Sequence, residues 1–352
     1  MALVVTQAHA APQRRGPHPL PVFLGLALKV TRGDPGRMTD ILRGLRAYQQ
    51  HVHVRPPSQA IVAAQHGATR LMLHGRSGAP VVLIPSLING PEVLDLAPGA
   101  SFVEYLLGEG FAPLTVDWGA PGPDEMTLDL DGLVQQRLLP LLAALGEPVP
   151  VIGYCLGGTI AAAAAAITPP PKLGLIAAPF AFGGYAPERR QAMLTLWDEI
   201  APGAEASGLV PIELLNPGFW ELDPARAVGK FERFGQMDPT AREARHYVLV
   251  EDWVNSGPPI PFPAAAQIFE RFYGEDEPGA GRWRIGGRPV DPAALPCPVL
   301  NVISLIDRIV PAAAAPHAGD RLELDAGHVG MMVGGRARAL LYEPTVRWLR
   351  SS

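Results

Sequence analysis

From Ile61 onward the chain alternates between two textures. Short apolar runs at residues 61–65, 70–74, 81–85, 114–117, 149–153 and 173–177 read as strands, and His66-Gly67-Ala68 turns the first into the second. Val81-Val82-Leu83-Ile84-Pro85 is apolar throughout, which suits a strand buried on both faces and stopped by proline. Between the strands, apolar residues recur at helical spacing over 101–107 and over 128–145, the latter with a kink expected near Pro140, and an alanine-rich helix is expected over 159–167. The alternation stops between Tyr185 and Arg284, where the sequence turns aromatic and proline-rich, and resumes with strands at 299–304 and 321–324 and a last helix at 344–350. Strands alternating with helices predict an α/β fold with a mostly parallel sheet and helices on both faces, interrupted by a helical cap. The boundaries that follow are an N-terminal arm at 1–60, a core at 61–184 and 285–352, and an inserted cap at 185–284. The arm shows no self-sufficient apolar pattern beyond a helix at 38–50.

Composition narrows the class. A hydrophobic fraction of 48% against 18% charged residues is that of a chain with a core to bury, and excludes disorder. The formal net charge of −5 argues against a nucleic-acid partner, which would require a basic face. Lys29, Lys172 and Lys230 are the only lysines, so an anionic ligand would meet arginine. The apolar stretch 22–28 ends at Lys29, well short of the roughly 20 residues that span a bilayer. Residues 1–11 carry no basic leader, and two cysteines make no disulfide framework; the expectation is a soluble cytoplasmic protein.

The chemistry gathers in Gly153-Tyr154-Cys155-Leu156-Gly157-Gly158, a G-x-C-x-G segment between a predicted strand and the alanine-rich helix. That is the setting of a nucleophile elbow, in which a sharp turn lifts the nucleophile above the sheet. Strand and helix can cross so closely only if the positions two before and two after are small, and Gly153 and Gly157 meet that need. The amide of Leu156 then faces the reacting carbonyl as one oxyanion donor, and the loop after 81–85, at Ser86–Leu87, is expected to supply the second. The α/β-hydrolase order is nucleophile, acid, histidine. Asp307 follows the strand at 299–304, and His328, between Gly327 and Val329-Gly330, follows the strand ending at Leu324, so all three fall on one rim of a parallel sheet.

Other residues compete less well for these roles. Asp320 lies at the wrong end of its strand, and Asp325 stands only three positions from His328. Asp117 ends a strand but precedes the nucleophile, which fits a structural place near the mouth. His317 lies in an alanine-rich segment and reads as solvated; His51 and His53 lack further ligands nearby, so no metal is expected. Cys297 opens a strand whose neighbour ends at Cys155, too far for a disulfide.

Beyond the elbow, the sequence resembles the catalytic part of the poly(3-hydroxyalkanoate) synthases, above all the short type that works with a partner subunit. The resemblance runs from about Ile61 to Arg350. It rests on Leu87-Ile88-Asn89 with Val93-Leu94-Asp95-Leu96, Val116-Asp117-Trp118-Gly119, the cysteine box 153–158, Ile285-Gly286-Gly287-Arg288-Pro289-Val290-Asp291, Asp307 with Val310-Pro311, and Gly327-His328. Two positions depart from the family pattern: residues 89–92 lack its basic residue and tyrosine, and Arg308 stands where a histidine commonly follows the acid. The resemblance implies an acyltransferase that polymerises 3-hydroxyacyl-CoA thioesters through a cysteine acyl-enzyme. Coenzyme A would be the leaving group, with no cofactor, and a synthase partner subunit, a homodimer and a polymer-granule surface would be its surroundings. The same elbow occurs in dienelactone hydrolases, and a capped thioesterase or polyester depolymerase is the alternative. The long separation of Cys155 from Asp307 disfavours a capless hydrolase. A third alternative is a silent granule-surface scaffold that keeps the fold.

Overall fold

A computed structural model describes residues 16–351; the stretch 1–11, expected to carry no leader, lies outside the described residues. Eight strands form one sheet: β1 (Ile61–His66), β2 (Thr69–Leu73), β3 (Ala79–Ile84), β4 (Phe111–Asp117), β5 (Val151–Tyr154), β6 (Leu173–Ile176), β7 (Val299–Ser304) and β8 (Asp320–Leu324). Their order across the sheet is β1-β2-β4-β3-β5-β6-β7-β8. From β4 to β8 every pairing is parallel, and β1 and β2 run antiparallel at one edge. This is the mostly parallel α/β sheet expected from the alternation, and its strand order is that of the α/β-hydrolase fold expected from the elbow and the order of Cys155, Asp307 and His328. All six residues of β7 and all four of both β5 and β6 are buried, which explains why these strands read as unbroken apolar runs rather than as alternating ones.

The described residues fall into two compact units. The larger comprises Ser58–Leu222 and Ser256–Ser352 and contains the whole sheet. Its core joins Val82, Leu114, Val151 and Leu175 to Trp197, Phe269, Phe272 and Trp283 from the helical insertion that follows β6. There Trp197 stacks on Phe269 with ring centroids 5.0 Å apart and planes at 6°, and its indole donates to Glu270 at 2.7 Å.

The smaller unit pairs the N-terminal segment through Pro57 with Asp223–Asn255. The three-part division expected from the sequence draws these boundaries elsewhere. The N-terminal segment is two helices, Leu20–Thr31 and Pro35–Gln50, and it shares a core with helices Pro224–Phe234 and Arg242–Val254. Phe23 and Tyr48 pack edge-on against Phe231, at 5.1 and 5.9 Å, and Gly44 meets the Phe231 carbonyl so closely that no side chain could be added. Tyr48 donates to Asp252 at 2.9 Å, and Arg37 pairs with Glu232 at 3.1 Å. The helix Leu20–Thr31 was not legible because it is apolar on nearly every side, so it lacks the polar face that marks an amphipathic helix.

One expected helix is interrupted. Over 130–143 the chain forms a helical turn, then a π-helical stretch at Val134–Leu138, then a further turn at Leu139–Ala143. Pro140 has no N–H to offer the preceding turn, and the widened stretch immediately before it absorbs the mismatch.

Candidate active site

The elbow is set by contacts that only backbone could make. Cys155 adopts φ 55° and ψ −132°, a conformation that side-chain-bearing residues rarely occupy and that persists only when its surroundings over-determine it. A Cβ at Gly153 would strike the backbone of Gly157 and Gly158, one at Gly157 the carbonyls of Ile84 and Pro85, and one at Gly158 the Ala178 methyl. Cys155 itself is tied on both sides: its N–H donates to the Ile176 carbonyl at 2.9 Å, and its carbonyl accepts from Gly158 at 2.8 Å. The sulfur therefore stands at the end of β5, at the N-cap of helix Leu156–Ile167, and is half-buried. Leu156 is the first residue of that helix, so its N–H has no partner in the preceding turn.

Asp307 and His328 reach the same rim from the carboxyl ends of β7 and β8. Asp307 Oδ1 accepts from the amides of Ile309 and Val310 at 2.7 and 3.1 Å, which fixes the carboxylate and leaves Oδ2 for the imidazole. His328 Nδ1 lies 2.6 Å from Asp307 Oδ2. The Cys155 side chain lies near enough to the imidazole to raise its pKa, and since Nδ1 is engaged by Asp307, Nε2 is the nitrogen left to serve the sulfur. Rather than lying in a loop, His328 opens a short helix, His328–Val333. Its backbone carbonyl accepts from the Tyr154 hydroxyl at 3.2 Å, and the Tyr154 ring lies 5.1 Å from the imidazole. Burial alone would lower the imidazole's pKa; the Asp307 carboxylate and the Cys155 side chain overcome it and push it up to about 10.

Cys155 opens into a narrow cavity with about 70 Å³ in which a water centre fits. Leu156, Leu215, Phe219, Ile268, Phe269 and Val310 contribute apolar walls. Ile88 lines this cavity, whereas Leu87 lines a separate small cavity beside Trp118 and Leu133. The Ile88 amide turns back to Ser86 Oγ at 3.2 Å. Of the cavity's polar groups, Tyr185, Arg189 and Tyr273 come from the insertion, and sequence spacing gave no signal that they meet Cys155.

The remaining candidates lie elsewhere. Asp117 pairs with Arg70 at 2.5 Å and accepts from the Gly119 amide at 3.0 Å, a structural use. Asp325 and His317 are exposed, and Asp320 begins β8 at the end remote from His328. His51 Nε2 contacts the Pro239 carbonyl at 2.9 Å, and His51 Nδ1 accepts from the His53 amide. Cys155 and Cys297 are both free thiols.

No protein-family model matches the chain. It is 27% identical over 290 residues to the poly(3-hydroxyalkanoate) polymerase subunit PhaC of Haloferax mediterranei, a match covering 76% of this chain and 58% of that protein. With the subunit of the same name from Allochromatium vinosum it shares 26% identity over 287 residues, 77% of this chain and 80% of the relative. The chain is similar to the poly(3-hydroxyalkanoate) polymerases. It spans 58% of the Haloferax relative and 61% of the one from Haloarcula marismortui. Among solved structures, DcsB in complex with its substrate analogue superposes with a TM-score of 0.51 at 16% identity, over 83% of this chain and 98% of that one, a likeness of fold. Among the described residues no helix is long and apolar enough to cross a membrane.

Proposed function

We propose that the chain is an acyltransferase that joins (R)-3-hydroxyacyl groups, delivered as coenzyme A thioesters, into a polyester through an acyl-enzyme on Cys155. The observation that carries this reading is the Cys155–His328–Asp307 relay opening onto an apolar cavity, in a chain similar to the polymerases over three quarters of its length. With the Cys155 proton resting on His328, the sulfur attacks the thioester carbonyl as the thiolate. The bond from that carbonyl to coenzyme A breaks, and the departing thiolate recovers the proton from His328. One thioester replaces another, so the step is nearly neutral in free energy. In the second half-reaction a hydroxyl group, from a second hydroxyacyl unit or a chain end, gives its proton to His328 and attacks the acyl-enzyme. An ester C–O bond forms, the Cys155 S–C bond breaks, and the sulfur leaves as the thiolate while His328 keeps the proton, which restores the starting pair. The Leu156 amide, with one from the Ser86–Leu87 loop, would hold the oxyanion of each tetrahedral intermediate. These steps use only the chain's own groups and coenzyme A as leaving group, with no cofactor.

Transfer to an alcohol must outrun hydrolysis by water at roughly 55 M, which requires a site that excludes water. The apolar wall at Cys155 supports polymerisation over the hydrolase alternative on this ground. A synthase partner subunit, a second copy of the chain, and a cytoplasmic place at a polymer-granule surface belong to the same proposal. Purified protein incubated with 3-hydroxybutyryl-CoA should release free coenzyme A and form polymer together, and Cys155→Ala should do neither while unfolding at the same temperature as the parent. Free 3-hydroxybutyrate without polymer would make the protein a hydrolase, and neither product would make it a scaffold.

A further inference from the structure

The cavity at Cys155 has a polar spot built into its otherwise apolar wall. Tyr185 follows the short turn Phe182–Gly184, and Tyr273 lies in the helical stretch Gln267–Gly274. Their rings are 5.2 Å apart at 53°, close enough for each phenol to influence the other's ionisation. Phe182 holds both: it stacks on Tyr185 at 5.8 Å and meets Tyr273 edge-on at 4.9 Å. Both tyrosines line the cavity with the sulfur. Burial pushes the Tyr273 phenol up to about 12 and Tyr185 well above its ordinary value, so both hydroxyls stay protonated at neutral pH. The guanidinium of the remaining polar neighbour, Arg189, is turned toward the carbonyl of Arg308.

Even if the two hydroxyl groups share a hydrogen bond, it uses only one proton and one lone pair. One O–H and several lone pairs are left to satisfy, and what surrounds them is largely apolar. An acyl group bound to Cys155 carries its own hydroxyl two carbons from the carbonyl, a polar group that would be costly to bury in such a cavity without a partner. We propose that the Tyr185–Tyr273 pair is the receptor for that 3-hydroxyl and makes the site select hydroxyacyl thioesters over plain acyl thioesters. The inference rests on the reading of Cys155 as acyl acceptor and adds to it a substrate-contacting pair drawn from the insertion. The pair works as a specificity element: a plain acyl chain would leave the tyrosines' spare O–H unpaired, whereas a hydroxyacyl chain pairs with it. Sites built to hydrogen-bond a substrate hydroxyl reject the analogue lacking it by up to roughly 10⁴–10⁵. Because two neighbouring hydroxyls can partly satisfy each other, about 10–100-fold is the expected discrimination here.

Single-turnover release of coenzyme A from 3-hydroxybutyryl-CoA and from butyryl-CoA measures the preference directly. The unaltered protein should favour the hydroxy substrate in kcat/KM by at least about tenfold. Tyr273→Phe and Tyr185→Phe keep the rings and their packing, and in each the preference should fall to within about twofold, through slower reaction of the hydroxy substrate alone. A preference retained in both variants, equal slowing of both substrates, or no preference in the unaltered protein would overturn the pair's role. No Cys155-dependent release from either thioester would instead overturn the transferase reading, and this inference with it.

Discussion

At the scale of single residues, the site depends on one proton and where it rests. Asp307 is fixed by two backbone amides and hands its free oxygen to His328, so the imidazole holds its proton up to about pH 10 although it is buried. In the unfolded chain the same group titrates near about 6.5. A folded pKa above the unfolded one contributes stability that is complete below about 6.5 and is lost as pH rises through about 10. Asp307→Asn removes the carboxylate, and burial then pulls the imidazole down. The difference in urea-unfolding free energy between parent and Asp307→Asn should therefore be largest near pH 6 and close by about pH 10.5. A difference that stays constant across that interval would mean that the carboxylate does not hold the imidazolium.

At the scale of elements, the elbow is a crossing of strand and helix at a separation only glycine allows. Gly157 faces the carbonyls of Ile84 and Pro85 at the end of β3, and neither can move without breaking the centre of the sheet. Gly157→Ala must push helix Leu156–Ile167 outward, carrying with it the Leu156 amide and the turn at Cys155. Overpacking of this kind costs about 1–3 kcal/mol in stability. Catalysis should suffer more than stability, because a displacement near 1 Å at an oxyanion donor costs about 10²-fold in rate. Coenzyme A release and thermal unfolding, measured on the same variant, separate the two effects. Unchanged turnover would show that the helix position is not what aligns the site.

At the scale of the molecule, residues far apart in sequence fold as one unit. Phe231 has Phe23 and Tyr48 for neighbours, and Lys230 pairs with Glu251 at 2.7 Å under the same helices. A chain lacking residues 1–57 leaves Phe231 and Tyr247 without the helices that cover Phe231, so 223–255 should lose its amide protection in hydrogen exchange while β3 to β7 retain theirs. Retained protection at 224–234 in the shortened chain would show that this segment stands by itself. The aromatic residues between Tyr185 and Arg284 thus serve two cores. Phe231, Phe234, Tyr247 and Trp253 belong to the smaller unit, while Trp197, Phe269, Phe272 and Trp283 belong to the unit that holds the sheet.

The sequence by itself determined the sheet and the sharp turn at Cys155. Buried parallel strands must be apolar throughout and the elbow must be flanked by glycine, so 81–85, 149–153, 173–177 and Gly153-x-Cys155-x-Gly157 carry their structure in local composition. Asp307 and His328 were legible for a related reason, since parallel strands deliver their following loops to one edge and chain order then names the partners. Only the tertiary structure decided how the insertion divides, that the apolar stretch near the N-terminus is a helix packed on Phe231, that Ile88 lines the cavity at Cys155 while Leu87 lines another, and that Tyr185 and Tyr273 meet in the wall of the first. Those facts are pairings between segments far apart along the chain. They are fixed by which surfaces bury each other, and no periodicity within either segment records its partner.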